Sequence, residues 1–170
     1  SYKPKDKDII EPLSKTEIIK DLVVDHQKPQ KTLKRVKSWL DEPSKIEKMR
    51  IEDEKRIEKQ TDCILCSSCY SSCPVLEVDE EFLGPFALTR IYRYTSDIRF
   101  DNEKSRIDII QKKGIWDCTL CGECTTACPQ GIDPKNDIIM LRNKSAKYGY
   151  TDPNFANDNN MFNSGFDPGF

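Results

Sequence analysis

At 170 residues the chain has room for one ordinary domain, or one domain with arms. Its 27 Lys and Arg against 29 Asp and Glu leave it near neutral, with a sequence pI of about 5.6, and this excludes the clustered basic excess that nucleic-acid phosphates call for. No apolar run approaches the roughly 18 residues of a membrane span, and no basic stretch leads into an apolar one as in a signal peptide.

Residues 1–62 carry 16 Lys and Arg and 14 Asp and Glu, so almost half of this stretch is charged, and it reads as an N-terminal arm. Asp8–Leu13 and Glu17–Ile19 suit short extended pieces around Pro12. Lys31–Leu40 has helical spacing at Leu33, Val36 and Leu40, with Pro43 as its stop. Ser44 and Glu47 form a capping box for a second helix, running through Ile46, Met49 and Ile57 towards Gln60. The alternating charge along this helix reads as a solvated face. The lone His26, between Asp25 and Gln27, reads as a surface residue.

At Cys63 the composition changes. Cys63-Ile-Leu-Cys66-Ser-Ser-Cys69-Tyr-Ser-Ser-Cys73-Pro74 is followed 55 residues later by Cys118-Thr-Leu-Cys121-Gly-Glu-Cys124-Thr-Thr-Ala-Cys128-Pro129. In the 44 residues between them, Gly84-Pro85 restarts the chain. Phe86, Leu88, Ile91 and Tyr92 then give a helix face to about Asp97. Ser105–Lys113 is a further helix, with Ile107, Ile109 and Ile110, ended by Gly114. Glu80 and Glu81 look like helix-start charges rather than acid–base catalysts. Asp133-Pro134 is an N-cap and N1 pair for a helix through Ile138, Met140, Leu141 and Lys144 that stops at Gly149. The stretch from Thr151 has five Asn, no Lys or Arg, and Phe155, Phe162, Phe166 and Phe170. It reads as a disordered extension, or as phenylalanines that dock into a partner groove. Residues 63–150 form the central domain and 151–170 the tail.

Leu, Ile, Val and Phe number 39, or 23% of the chain, close to the roughly 20% below which disorder is expected. So lean a core needs staples. The eight cysteines supply them: both runs read C-x2-C-x2-C-x3-C-P, the bacterial-ferredoxin run for a 4Fe–4S cubane. Cysteines at i, i+3 and i+6 let a tight loop wrap three corners of a cube. The fourth leaves that loop and ligates the other cluster. Cys63, Cys66, Cys69 and Cys128 therefore form one set, and Cys118, Cys121, Cys124 and Cys73 the other. Disulfides fit this spacing poorly, and zinc leaves the third cysteine and the C-P unexplained. No Ser/His/Asp set, G-x-G-x-x-G or Walker loop appears, so no catalytic residue is assigned and the chain reads as a single-electron relay. Strand-like alternation is scarce, so the fold is expected to be mainly α, unlike the small βαβ-type ferredoxins.

Over residues 9–147 the chain resembles the iron–sulfur subunit of succinate dehydrogenase and fumarate reductase, respiratory complex II. The resemblance is carried by Ile10-Glu-Pro-Leu13, Ile19-Lys-Asp-Leu-Val-Val-Asp25, Phe82-Leu-Gly-Pro85, Tyr92-Arg93, Arg99 and Cys128-Pro-Gln-Gly-Ile-Asp-Pro134, besides the cysteines. It implies an α-helical ferredoxin domain that passes electrons between a flavoprotein subunit and quinone at a membrane anchor. It further implies a peripheral position on the cytoplasmic face of the inner membrane, or on the mitochondrial matrix face. Three departures stand out. The family's plant-type 2Fe–2S domain, with its C-x4-C-x2-C signature, has no counterpart and the chain begins at Ser1. A separate 2Fe–2S chain or a trimmed product is therefore expected. The family's second run usually lacks its middle cysteine and holds 3Fe–4S, whereas Cys121 here completes a 4Fe–4S site. Finally, Val75–Val78 and Thr119 stand where the family's quinone pocket draws a tryptophan and a histidine. The alternative is a relay in a heterodisulfide reductase- or glycolate oxidase-like complex, with a cysteine-rich acceptor. A third reading, from another class, is an assembly factor whose clusters are structural only.

Overall fold

The structure, a computed structural model, describes residues 3–42 and 48–154. The capping box at Ser44 and Glu47 and the phenylalanines of the tail lie outside the described residues. The regular elements of the described chain are helices apart from one hairpin. In that hairpin β1 (Glu17–Lys20) pairs antiparallel with β2 (Val23–Asp25), with Glu17 opposite Asp25 and Ile18 opposite Val24. Asp21, at φ 53°, takes the left-handed conformation that the tight turn requires. Asp8–Leu13, expected to be extended, forms no regular element.

Helix α1 spans Gln27–Arg35, several residues earlier than the apolar spacing of Lys31–Leu40 suggests. Both ends have local causes. At the start the Gln27 N–H donates to Asp25 Oδ1 at 2.7 Å. At the end Ser38 N–H donates to the Leu33 carbonyl and Lys37 N–H to that of Lys34, the paired bonds of a Schellman motif. Lys37 sits at φ 50°, where glycine is usual. Val36 is thereby turned inward and is fully buried. The single helix expected up to Gln60 is instead two short ones, α2 (Ile51–Lys55) and α3 (Glu58–Thr61). Between them Ile57, at φ −121°, leaves helical geometry and is 3% exposed.

The first cysteine loop leads into α4 (Ser68–Ser71), and α5 (Val75–Val78) follows Pro74. Helix α6 (Pro85–Thr95) begins, as expected, at Gly84-Pro85. Gly84 has φ 79°, and a Cβ there would lie 3.1 Å from the Tyr70 ring, so both conformation and space favour glycine. Glu80 and Glu81 do not start a helix. They face the arm, Glu80 pairing with Lys28 at 2.8 Å and Glu81 with Arg35 at 3.7 Å. Helix α7 spans Glu103–Ile109, starting before Ser105 because the Asn102 side chain caps it and ending before Lys113. After it the chain folds back so tightly that a Cβ on Gly114 would lie 2.1 Å from the Ile110 carbonyl oxygen. Helix α8 (Glu123–Thr126) follows the second loop, and α9 (Pro134–Lys147) starts where Asp133 Oδ1 accepts the Asn136 N–H.

Helices α6 and α9 pack along each other and form the centre of the core. Leu83, Leu88 and Ile91 meet Ile138 and Leu141 there, with Ile107, Ile110 and Ile115 closing one side, all 0% exposed. Val36 joins the same cluster. The N-terminal segment is also tied to α4, where Lys15 Nζ donates to the Ser71 carbonyl at 2.6 Å.

Candidate iron–sulfur cluster sites

The two cysteine loops repeat each other in backbone as well as in sequence. Leu65 (φ 54°) and Ser67 (φ 63°) are left-handed in the first, and Leu120 (φ 56°) and Gly122 (φ 89°), 55 residues on, are left-handed in the second. Left-handed residues alternating with right-handed ones turn successive N–H groups to one side, making the concave nest that suits sulfide and thiolate. Leu120 N–H already donates to Cys118 Sγ at 3.4 Å. Helices α4 and α8 leave the loops at equivalent positions and pack against each other, with Ser72 Oγ donating to the Glu123 carbonyl at 3.5 Å.

Cys63, Cys66, Cys69 and Cys128 converge on one cavity, walled on its apolar side by Phe86 and Ile132. Cys128 comes from the second run, so the structure brings together three cysteines of one run and the last of the other. The electrostatics follow the same grouping in part, Cys124 of the second run also reaching Cys69. Burial pushes the Cys69 thiol far up, and Cys63, Cys124, Cys66 and Cys128 raise it further. Burial likewise pushes the Cys124 thiol up to about 11, with Cys118, Cys73 and Cys121 adding to the rise. Cys73 and Cys118 are raised mainly by burial, and each also feels Cys121. Cys73 is opposed by the backbone N–H groups of Leu76 and Val75, and Cys118 by that of Leu120 and by Arg142.

This donor set suits iron–sulfur clusters. The ligands are soft, crowded and mostly removed from water, with backbone donors aimed at the sulfur, and loading would release the protons that burial holds on the thiols. Among the described residues no three Cys, His, Asp or Glu side chains close around one metal ion. Four thiols around a cube stand farther apart than the ligands of a single ion. Cys121 is exposed.

The other residues singled out in the sequence fall into structural places. Arg99 holds the buried Asp97 through bonds of 2.8 and 2.7 Å, and the Arg93 guanidinium lies 4.6 Å from the centre of the Tyr94 ring. His26 is exposed. Val75 and Thr119 border a groove shared with Trp116 and Arg142. Two polar features escaped the sequence reading, Arg142 against the second loop and a buried Asp137 beneath α6. Neither has a motif, and only the packing of α9 reveals them.

The fold and the two loops together define a helical ferredoxin-type domain, and residues 59–132 match the family described as a 4Fe-4S dicluster domain. The homologues of this chain are iron–sulfur subunits of fumarate reductases and succinate dehydrogenases. It is 42% identical over 146 residues to the fumarate reductase iron-sulfur subunit of Mycobacterium tuberculosis, a match covering 82% of this chain and 59% of that one. It is 34% identical to the 8-methylmenaquinol:fumarate reductase iron-sulfur subunit of Wolinella succinogenes, over 87% of this chain and 48% of that one. The chain thus spans about half to three-fifths of the length of these relatives. Its fold matches a chain of the Mycobacterium smegmatis Sdh1 complex in the apo form, with a TM-score of 0.74 at 24% identity, over 83% of this chain and 62% of that chain.

Proposed function

We propose that this chain is the electron-relay part of a complex II-like assembly, taking single electrons from a flavoprotein that oxidises succinate, or returning them to one that reduces fumarate. Cys63, Cys66, Cys69 and Cys128 hold one 4Fe–4S cluster, and Cys118, Cys121, Cys124 and Cys73 hold the other. The convergence of Cys128 with the first three cysteines on one cavity carries this reading. Residues 63–150 are the domain that holds the clusters, and residues 1–62 the arm that meets a 2Fe–2S domain or chain. Bound clusters supply one-electron chemistry, while the protein holds the two sites side by side through α4 and α8 and keeps water from their inner faces. The chain sits peripherally, and contact with the membrane falls to anchor subunits; no helix among the described residues is long and apolar enough to cross a membrane.

The acceptor is quinone at the anchor. A second reading, with a thiol-linked or cysteine-rich acceptor, is favoured by Val75 and Thr119 at the groove beside Cys118. It also draws on the 31% identity to a chain of the fumarate reductase (CoM/CoB) of Methanothermobacter marburgensis. The test is anaerobic: the cluster-loaded chain is mixed with its flavoprotein subunit and the chain that bears the 2Fe–2S domain, and succinate is added. The cluster absorbance should bleach, and should stay unchanged when the flavoprotein is omitted. A flavoprotein that turns over succinate with an artificial dye yet leaves these clusters oxidised would overturn the proposal.

A further inference from the structure

Among the described residues the buried charged side chains are Asp53, Asp97, Arg106 and Asp137. The first three are paired, with Arg50, Arg99 and Asp41 respectively. Asp137 forms no ion pair among the described residues. Its one hydrogen bond comes from Gln60 Nε2 to Oδ1 at 2.8 Å. Its Oδ2 and the Thr89 Oγ1 are both buried and both lack a partner, although Thr89 is near enough to act on the carboxyl. A proton on Oδ2 mends this: the acid form donates to Thr89 Oγ1 and still accepts from Gln60 at Oδ1.

The elements that enclose Asp137 also wall the first cysteine cavity. The Gln60 carbonyl accepts the Cys63 N–H at 3.5 Å. Phe86, a wall of that cavity, stands three residues before Thr89 on α6, and Ile132, another wall, five residues before Asp137. With about 5 Å to a helical turn, the carboxyl lies roughly 10 Å from the centre of the cavity. The charged groups on the surrounding elements are engaged elsewhere. On α3 Lys59 pairs with Asp62, and Glu58 is exposed, as is Glu123 on α8. On α6 Arg90 donates to the Tyr94 hydroxyl at 2.6 Å, and Arg93 lies against the same ring. On α9 itself Lys135 runs towards Gly122 and Lys144 pairs with Glu103 of α7. Asp133 is the one charged group that acts on Asp137, and it favours the protonated form.

We propose that Asp137 is a proton-binding site coupled to the first cluster, so that an electron arriving there draws a proton from water onto Oδ2, which then donates to Thr89 Oγ1. The proposal rests on the two-cluster reading above. The flavoprotein supplies the electron, solvent supplies the proton, one O–H bond forms, and both charges leave again on re-oxidation. At about 10 Å and an effective dielectric constant of about 20, the added electron strengthens proton binding about tenfold. Burial already raises this carboxyl to about 6, so reduction brings its titration to near neutral pH. By linkage the proton favours the electron by the same factor.

The test is a redox titration of the cluster-loaded full chain between pH 5 and pH 8, following each cluster by its electron paramagnetic resonance signal. Two clusters must first be counted in the parent protein, and their absence would overturn the two-cluster reading itself and the proposal with it. In the parent, the reduction equilibrium constant of the first cluster should fall about tenfold as the pH rises across this range, and that of the second by less than about twofold. Asp137→Asn should hold the first cluster at its low-pH value throughout, and Asp137→Ser should do the same if the asparagine variant does not load. Infrared difference spectra of the parent at pH 7, reduced minus oxidised, should gain a protonated-carboxyl band, and this measurement decides if neither variant loads. A first cluster indifferent to pH in the parent, a pH slope that survives in a loaded neutral variant, or no such band would overturn the proposal.

Discussion

Asp137 lies on α9 with 1% of its surface exposed. Its Oδ1 accepts from Gln60 Nε2 at 2.8 Å, whereas Oδ2 and the nearby Thr89 Oγ1 are buried and complete no hydrogen bond. Burial pushes its carboxyl up to about 6, against the pull of Gln60 and Thr89 and with a small push from Asp133. A carboxyl raised in this way binds its proton more tightly in the folded chain than in the unfolded one. Stability therefore falls as the pH rises from the ordinary aspartate value towards 6, and then levels off. At neutral pH the whole penalty is present. A rise of about 2 pH units at about 1.4 kcal/mol each makes it about 3 kcal/mol.

Asp137→Asn keeps the acceptor for Gln60, removes the buried charge, and turns the unpaired oxygen into an N–H2 group that can donate to Thr89 Oγ1. The variant should be about 2–3 kcal/mol more stable at pH 7, which for a chain of this size is about 5–10 °C in Tm. Melting should be followed anaerobically on the loaded protein, by helical circular dichroism and cluster absorbance together. One heating rate should be used throughout, because loss of iron makes unfolding irreversible. The gap between variant and parent should narrow to about half at pH 5, where the parent carboxyl is largely protonated. A variant that melts at or below the parent at pH 7, or a gap indifferent to pH, would refute the reasoning.

Cys121→Ser should leave the Cys63 site intact and convert only the second cluster, giving an oxidised 3Fe–4S resonance; that signal at full occupancy with Cys121 in place would show that the thiol is not a ligand. Chelating the iron should collapse the helical circular dichroism of residues 63–150, since the clusters join the two loops much as a structural metal would; an unchanged Tm without iron would show that packing alone suffices. Gly114→Ala should cost at least about 2 kcal/mol, because its Cβ would meet the Ile110 carbonyl at 2.1 Å. Urea unfolding checks this, and a cost under about 0.5 kcal/mol would mean that the turn yields.

The parts of the fold that were legible in the sequence are those with short-range causes. Gly84-Pro85 and Asp133-Pro134 announce α6 and α9 because a proline at N1 and a capping aspartate act within one turn. The x3 spacing before C-P predicts that the last cysteine leaves its own loop, and Cys128 lines one cavity with the first three cysteines of the other run. The arm was harder. The apolar spacing of Leu33, Val36 and Leu40 is helical, yet a left-handed lysine ends α1 before Leu40, and nothing in the local sequence marks Lys37 for that role. Glu80 and Glu81 were misplaced for a similar reason, since their partners Lys28 and Arg35 lie about fifty residues away. Arg142 and Asp137 have only long-range partners, and their significance depends on how α9 crosses the loops.

The proposed crossing of the two runs would also account for how so lean a chain holds its shape. If each run closed its own cube, each cluster would tie only a dozen residues, and the helices between would rely on their side chains alone. With Cys73 among the second set and Cys128 among the first, each cluster would instead close a loop through α6 and α7. The ordering of those helices is then shared between the Leu88, Ile91, Ile138 and Leu141 core and two sets of iron–thiolate bonds. The same arrangement brings Cys124 of the second set close enough to raise the Cys69 thiol of the first. If the two sets each hold a cluster, the contact between α4 and α8 is also where the two redox sites would meet, and substitutions that loosen it should disturb stability and electron transfer together.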